Sequence, residues 1–206
     1  MSIEFGPFRQ HIKTFAATYI GQFQSLLGGI DFDAVAGVSD RLSAARDARA
    51  TIFLAGNGGS AATASHWAND LGKATRAPGR PPIRVLSLSD NVSWFTALAN
   101  DEGYEHVFSG QLDNLATPGD VLIVISASGN SPNLVNAVTL ARERDLTTIG
   151  LLGFDGGALK PLVDQCVWIP TETGAYGPVE SAHLMVCHLV TASLLIPSHV
   201  SAAATS

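Results

Sequence analysis

Five short apolar runs, separated by stretches that can hold helices, constrain this chain more than any other feature. They are Thr51–Ala55, Ile83–Ser87, Val121–Ile125, Thr147–Leu152 and Cys166–Ile169. The first is closed by Gly56 and reads as a buried strand. Strands that alternate with helices pair in parallel, and right-handed crossovers then lay helices on both faces. The expected fold is α/β, a three-layer sandwich around a five-stranded parallel sheet. Ahead of the sheet, Phe8, Ile12, Phe15, Ile20, Phe23 and Leu27 recur at helical spacing until Gly28-Gly29, so a long N-terminal helix is expected. A second helical pattern runs from about Phe32 to Ala48.

A chain of 206 residues suits one domain. The expectation is a single domain over residues 1–197, with its helical N-terminal region over about 1–49, and a small, polar, flexible tail over 198–206. Apolar residues make up 46% and charged residues 15%, which excludes a disordered chain. The formal charge of −6, without a Lys/Arg block, disfavours nucleic acid as a partner. Cys166 and Cys187 lack C-x-x-C spacing and read as buried packing thiols. The segment Met1–Ile12 carries Glu4, Arg9 and His11, unlike a secretory signal. Ala182–Ile196 is interrupted by His188, Thr191 and Ser193 and is shorter than the ~20 residues of a membrane span. A cytoplasmic location is expected.

In parallel sheets, ligands bind beyond the carboxyl ends of the strands, where loops lead into helices. The loop Gly56-Asn57-Gly58-Gly59-Ser60-Ala61 follows the first strand, and its glycines let backbone N–H groups approach an anion. Gly56, Gly58 and Ala61 also fit a loose dinucleotide fingerprint. That reading wants an acidic residue about 20 positions on, and Asp90 arrives late. The loop Ser126-Ala-Ser128-Gly-Asn-Ser131-Pro132-Asn133 follows the third strand. Ser131 reads as an N-cap and Pro132 as the first helical residue. Hydroxyls clustered at a positive helix end make a phosphate cradle that needs few cations.

His66 and Asp70 lie four apart on the helix after the first loop, on one face. On the last helix, Glu180 and His188 lie two turns apart with His183 between them, in an apolar stretch where polar groups need partners. A His and a carboxylate on each of two helices suit a divalent metal or an acid/base pair beside a bound phosphate. Read alone, the same residues also fit hydrogen-bonded core histidines and solvent-facing carboxylates.

Together, Gly56-Asn-Gly-Gly-Ser60, Ser126-Ala-Ser-Gly-Asn-Ser131 and the Glu180…His188 helix resemble the sugar isomerase (SIS) family, closest to its sedoheptulose-7-phosphate isomerases, over nearly the whole chain. The resemblance implies a flavodoxin-like fold and an aldose–ketose isomerase. Its phosphate-binding residues map onto Asn57, Gly58, Gly59, Ser60, Ser126, Ser128 and Ser131. It implies zinc held by His66, Asp70, Glu180 and His188, with Asp70, Glu180 and His188 catalytic. Asp70 stands where the family has Glu, and Glu180 where it has Gln. The resemblance further implies a homotetramer with sites between subunits. A non-enzymatic branch, the replication-initiator-associating proteins, is the alternative, as is a phosphosugar sensor. That branch lacks the carboxylate and histidine that this chain keeps at Asp70 and His188.

Overall fold

The computed structural model describes residues 6–196, so the tail expected over 198–206 lies outside the described residues. Helix α1 (Gly6–Gly28) is followed by α2 (Phe32–Asp47), whose N-cap Asp31 accepts hydrogen bonds from Asp33 and Ala34. The sheet comprises β1 (Thr51–Gly56), β2 (Arg84–Ser87), β3 (Val121–Ser126), β4 (Thr147–Leu152) and β5 (Gln165–Trp168). All pairings are parallel, in the order β2-β1-β3-β4-β5. Between strands run α3 (Gly59–Asn69), α4 (Val92–Asp101), α5 (Ser109–Leu115) and α6 (Pro132–Glu143), and α7 (Tyr176–Ser193) follows β5.

Alternation along each strand divides the core in two. Ile52, Leu54, Ile123, Ile125, Ile149 and Leu151 face a cluster built with α2, α3 and α7. Phe53, Ala55, Leu122, Val124 and Leu152 face the second cluster, under α4, α5 and α6. From β1 the chain crosses to β2 on one side, and from β3 to β4 on the other. The strand order therefore reverses between β1 and β3, and a crevice opens beyond their carboxyl ends.

Two sequence expectations change. The link from β4 to β5 holds no helix. It turns through Phe154, Gly156 and Gly157 at positive φ, a conformation a helix excludes. Cys187 is buried, but Cys166 is only half-buried. On α1, Phe23, Leu26 and Leu27 pack on the core, while Ile12, Phe15 and Ile20 remain exposed.

Candidate functional site

Both loops singled out in the sequence flank the β1/β3 crevice. β1 ends in Gly56, where an added Cβ would fall 2.7 Å from the Ser60 backbone, so a side chain there would block the turn into α3. Gly58 caps α3 with φ of 54°. Across the crevice, Ser126 Oγ accepts the Gly129 N–H at 2.9 Å, which shapes the serine loop. Ser131 caps α6 by its backbone alone, and its hydroxyl makes no capping bond. Asn57, Ser60, Ser126, Ser128 and Ser131 line a pocket of about 150 Å³ together with Tyr176 and Glu180. The amino ends of α3 and α6 both lie at this pocket, and the helix dipoles favour an anion there.

Two features of the pocket escaped the sequence reading. Asn57 and Asn133 form a reciprocal amide pair, at 3.0 and 2.9 Å, and the Tyr104 hydroxyl donates to Asn57 Oδ1 at 2.9 Å. Both carbonyl lone pairs of Asn57 are thereby occupied, which fixes its amide orientation. The β4–β5 loop also buttresses the serine loop. Leu159 N–H donates to the Gly129 carbonyl at 3.0 Å, and Ala158 N–H to Asn130 Oδ1 at 2.9 Å. The only sequence sign of that loop's role is its pair of adjacent glycines, Gly156-Gly157.

Further along the groove between α3 and α7, His66, Asp70 and His188 converge. The two His Nε2 atoms are 3.2 Å apart, and Asp70 Oδ2 lies 3.2 Å from His66 Nε2 and 3.7 Å from His188 Nε2. Asp70 sits where α3 widens into a π-helical turn, Asp70–Ala74. An imidazole–metal bond of about 2.0–2.1 Å in a tetrahedral site separates neighbouring donors by about 3.3 Å. Two imidazoles and a carboxylate at these spacings therefore suit a divalent metal of zinc type, and leave room for a further ligand. The side chains of His66 and His188 are 47% and 49% exposed, so the cluster opens to solvent from this chain. A brace behind it sets the helix spacing: buried Trp67 donates from Nε1 to Thr191 Oγ1 at 3.2 Å, and Thr191 donates to the Cys187 carbonyl at 2.8 Å.

The four-residue ligand set drawn from the sequence divides here. Glu180 is not among the three converging donors. Eight residues separate it from His188, about 12 Å along the helix axis. Its carboxylate lies against the first loop instead, where a Cβ added to Gly59 would fall 2.4 Å from Glu180 Oε2. His183, between them, is wholly buried, and neither ring nitrogen has a hydrogen-bond partner among the described residues. Burial outweighs the opposing pull of the Leu152 backbone and drives its pKa down to about 4.

The SIS domain family matches residues 18–153. The phosphoheptose isomerase of Trichlorobacter lovleyi is 43% identical over 139 residues, 68% of this chain and 69% of that one. That of Chlorobaculum parvum is 35% identical over 173 residues, 84% of this chain and 82% of that one. Among solved structures, the phosphoheptose isomerase of Neisseria gonorrhoeae superposes with a TM-score of 0.81 at 28% identity, covering 91% of this chain and 98% of that one. No helix among the described residues is long and apolar enough to cross a membrane.

Proposed function

We propose that this chain, which belongs to the SIS domain family and within it to the phosphoheptose isomerases, interconverts sedoheptulose 7-phosphate and D-glycero-D-manno-heptose 7-phosphate through an enediol. The observation that carries the reading is that the α3 and α7 pair has a phosphate-sized, hydroxyl-lined pocket at one end and a His–Asp–His cluster further along the same two helices. The two ends are separated by about 12 Å of helix, the reach of an extended seven-carbon sugar phosphate.

Asn57, Gly58, Gly59, Ser60, Ser126, Ser128 and Ser131 hold the phosphate by amide and hydroxyl donors. Binding energy from this non-reacting end then positions C1 and C2 at the cluster. A carboxylate takes the proton from C1 of the ketose and returns it to C2 of the aldose. We assign this role to Asp70, and its carboxylate lying beside both His66 and His188 supports the assignment. His188 exchanges protons between the two substrate oxygens. His66, Asp70 and His188 are the residues that would hold zinc, which supplies Lewis-acid polarisation of the substrate oxygens when bound. Glu180, at the edge of the phosphate pocket that faces the cluster, accepts hydrogen bonds from sugar hydroxyls and joins the metal only by swinging away from Gly59.

The assembly we infer is a homotetramer in the cytoplasm. Its support is the exposed apolar face of α1, with Ile12, Phe15 and Ile20, and the exposed Met185 and Leu189 on α7 near His188. The test is turnover of sedoheptulose 7-phosphate by purified protein, followed by NMR with and without added zinc. Zinc-dependent formation of the aldoheptose phosphate is expected, and His188→Gln is expected to abolish it with the fold intact. Full activity in that variant overturns the role given to His188. No turnover at full metal occupancy overturns the activity and leaves a phosphosugar-binding role.

A further inference from the structure

Seven of the chain's twelve Lys and Arg residues lie between positions 41 and 84, where Asp47 and Asp70 are the only acids, although the whole chain carries a formal charge of −6. The topology gathers three of these cations at one end. Arg46 sits in the last turn of α2, just before β1, and Arg76 and Arg80 lie in the segment leading into β2. Because β1 and β2 are parallel, both segments lie at the amino ends of the strands, opposite the phosphate loops.

Arg46 is 1% exposed. Its Nη2 donates to the Thr75 carbonyl at 3.1 Å, but Nε and Nη1 have no acceptor among the described residues. No described carboxylate forms an ion pair with Arg46 or Arg80. Burial and the nearby Arg80 charge both disfavour protonated Arg46, against a favourable pull from Asp47. Arg80 is half-buried and donates to the Leu194 carbonyl at 2.8 Å and the Ser43 hydroxyl at 3.3 Å. A cavity of about 370 Å³ lies alongside, lined by Arg76, Ala77, Pro78, Arg80 and Pro82. A buried guanidinium with no counterion, and a second cation beside it, is among the costliest arrangements a fold can hold. An oxyanion is the complement that resolves it, since a guanidinium fork binds such groups in a bidentate manner.

We propose that this cavity is a second anion site, which takes a phosphate-type oxyanion on Arg76 and Arg80 with Arg46 as the buried charge behind it. The oxyanion is inorganic phosphate or the phosphate group of a nucleotide. Arg46 and Arg80 bond carbonyls at the far ends of the α3 extension and of α7, Thr75 and Leu194, and none of the three arginines forms a hydrogen bond or ion pair with His66, Asp70 or His188, so occupancy changes stability and leaves the chemistry alone.

Equilibrium dialysis of the full chain against radiolabelled inorganic phosphate counts the sites. Two per chain are expected in the wild type, and one in the Arg76→Gln/Arg80→Gln double variant at unchanged kcat. The exposed Arg76→Gln alone, which leaves the buried arginines in place, is expected to weaken the second site about tenfold. Displacement by ADP at lower concentration than by phosphate assigns the site to nucleotides; displacement by phosphate alone assigns it to the free ion. A site count that the double substitution leaves unchanged overturns the proposal.

Discussion

Replacing His183 by leucine removes an ionisable ring that α7 buries completely, and the consequence depends on pH in a calculable way. In the unfolded chain the imidazole titrates near its ordinary 6.5, and in the fold near 4. Between these values the unfolded state binds a proton that the native state refuses, so stability falls as pH falls. The contribution is fully present above 6.5 and is lost progressively toward 4. At about 1.4 kcal/mol per pH unit, the total is about 3 kcal/mol. In a chain of this size that corresponds to roughly 6–12 °C in Tm. Urea unfolding of wild type and His183→Leu, at fixed protein concentration from pH 7.5 to 4.5, isolates the effect, since every other titrating group cancels in the difference. The expected result is a variant at least as stable as wild type at pH 7.5, because two unpartnered ring nitrogens are gone. Its advantage then grows by about 1.4 kcal/mol for each unit below 6.5. A pH-independent difference refutes the reasoning, for it would mean that the ring is solvated or hydrogen-bonded in the native state.

Other perturbations test the groove. Asp70→Asn keeps the shape and removes the carboxylate, so kcat is expected to fall by about 10²-fold or more while inorganic phosphate inhibits as in wild type; an unchanged kcat removes Asp70 as the base. Thr191→Val deprives Trp67 of its acceptor, and zinc affinity measured by competition with a chelator is expected to drop about tenfold as α3 and α7 lose their spacing. Gly129→Ala puts a Cβ 2.0 Å from the Gly156 carbonyl at a φ of 66°. A loss of at least about 2 kcal/mol in urea unfolding is expected, together with weakened phosphate inhibition. Gly59→Ala meets only the flexible end of Glu180, so it is expected to leave stability within about 0.5 kcal/mol and raise KM.

Much of the architecture was legible in the chain because strand and helix signals are local. Thr147–Leu152 coincides with β4, and the other four runs differ from their strands by a residue at one or both ends. The cap at Ser131 was equally readable, since a proline at the first helical position carries its own geometry. The β4–β5 link was misread because its length allows a helix, and only its backbone angles exclude one. The resemblance groups Glu180 with the metal donors, and residue type at a helix position does not reveal which way a flexible carboxylate turns; here it lies against Gly59.

Five strands, the two loops that follow β1 and β3, and the residues that carry donors are properties of short windows, where periodicity and turn chemistry act. Tertiary structure decided which of these meet. It set β1 beside β3, so that the two loops share one crevice. It paired Asn57 with Asn133 across 76 residues and His66 with His188 across 122. It buried His183 and Arg46, and it turned Glu180 toward Gly59 rather than Asp70. Such contacts depend on how layers pack and helices rotate against a sheet, and no window of neighbouring residues encodes that.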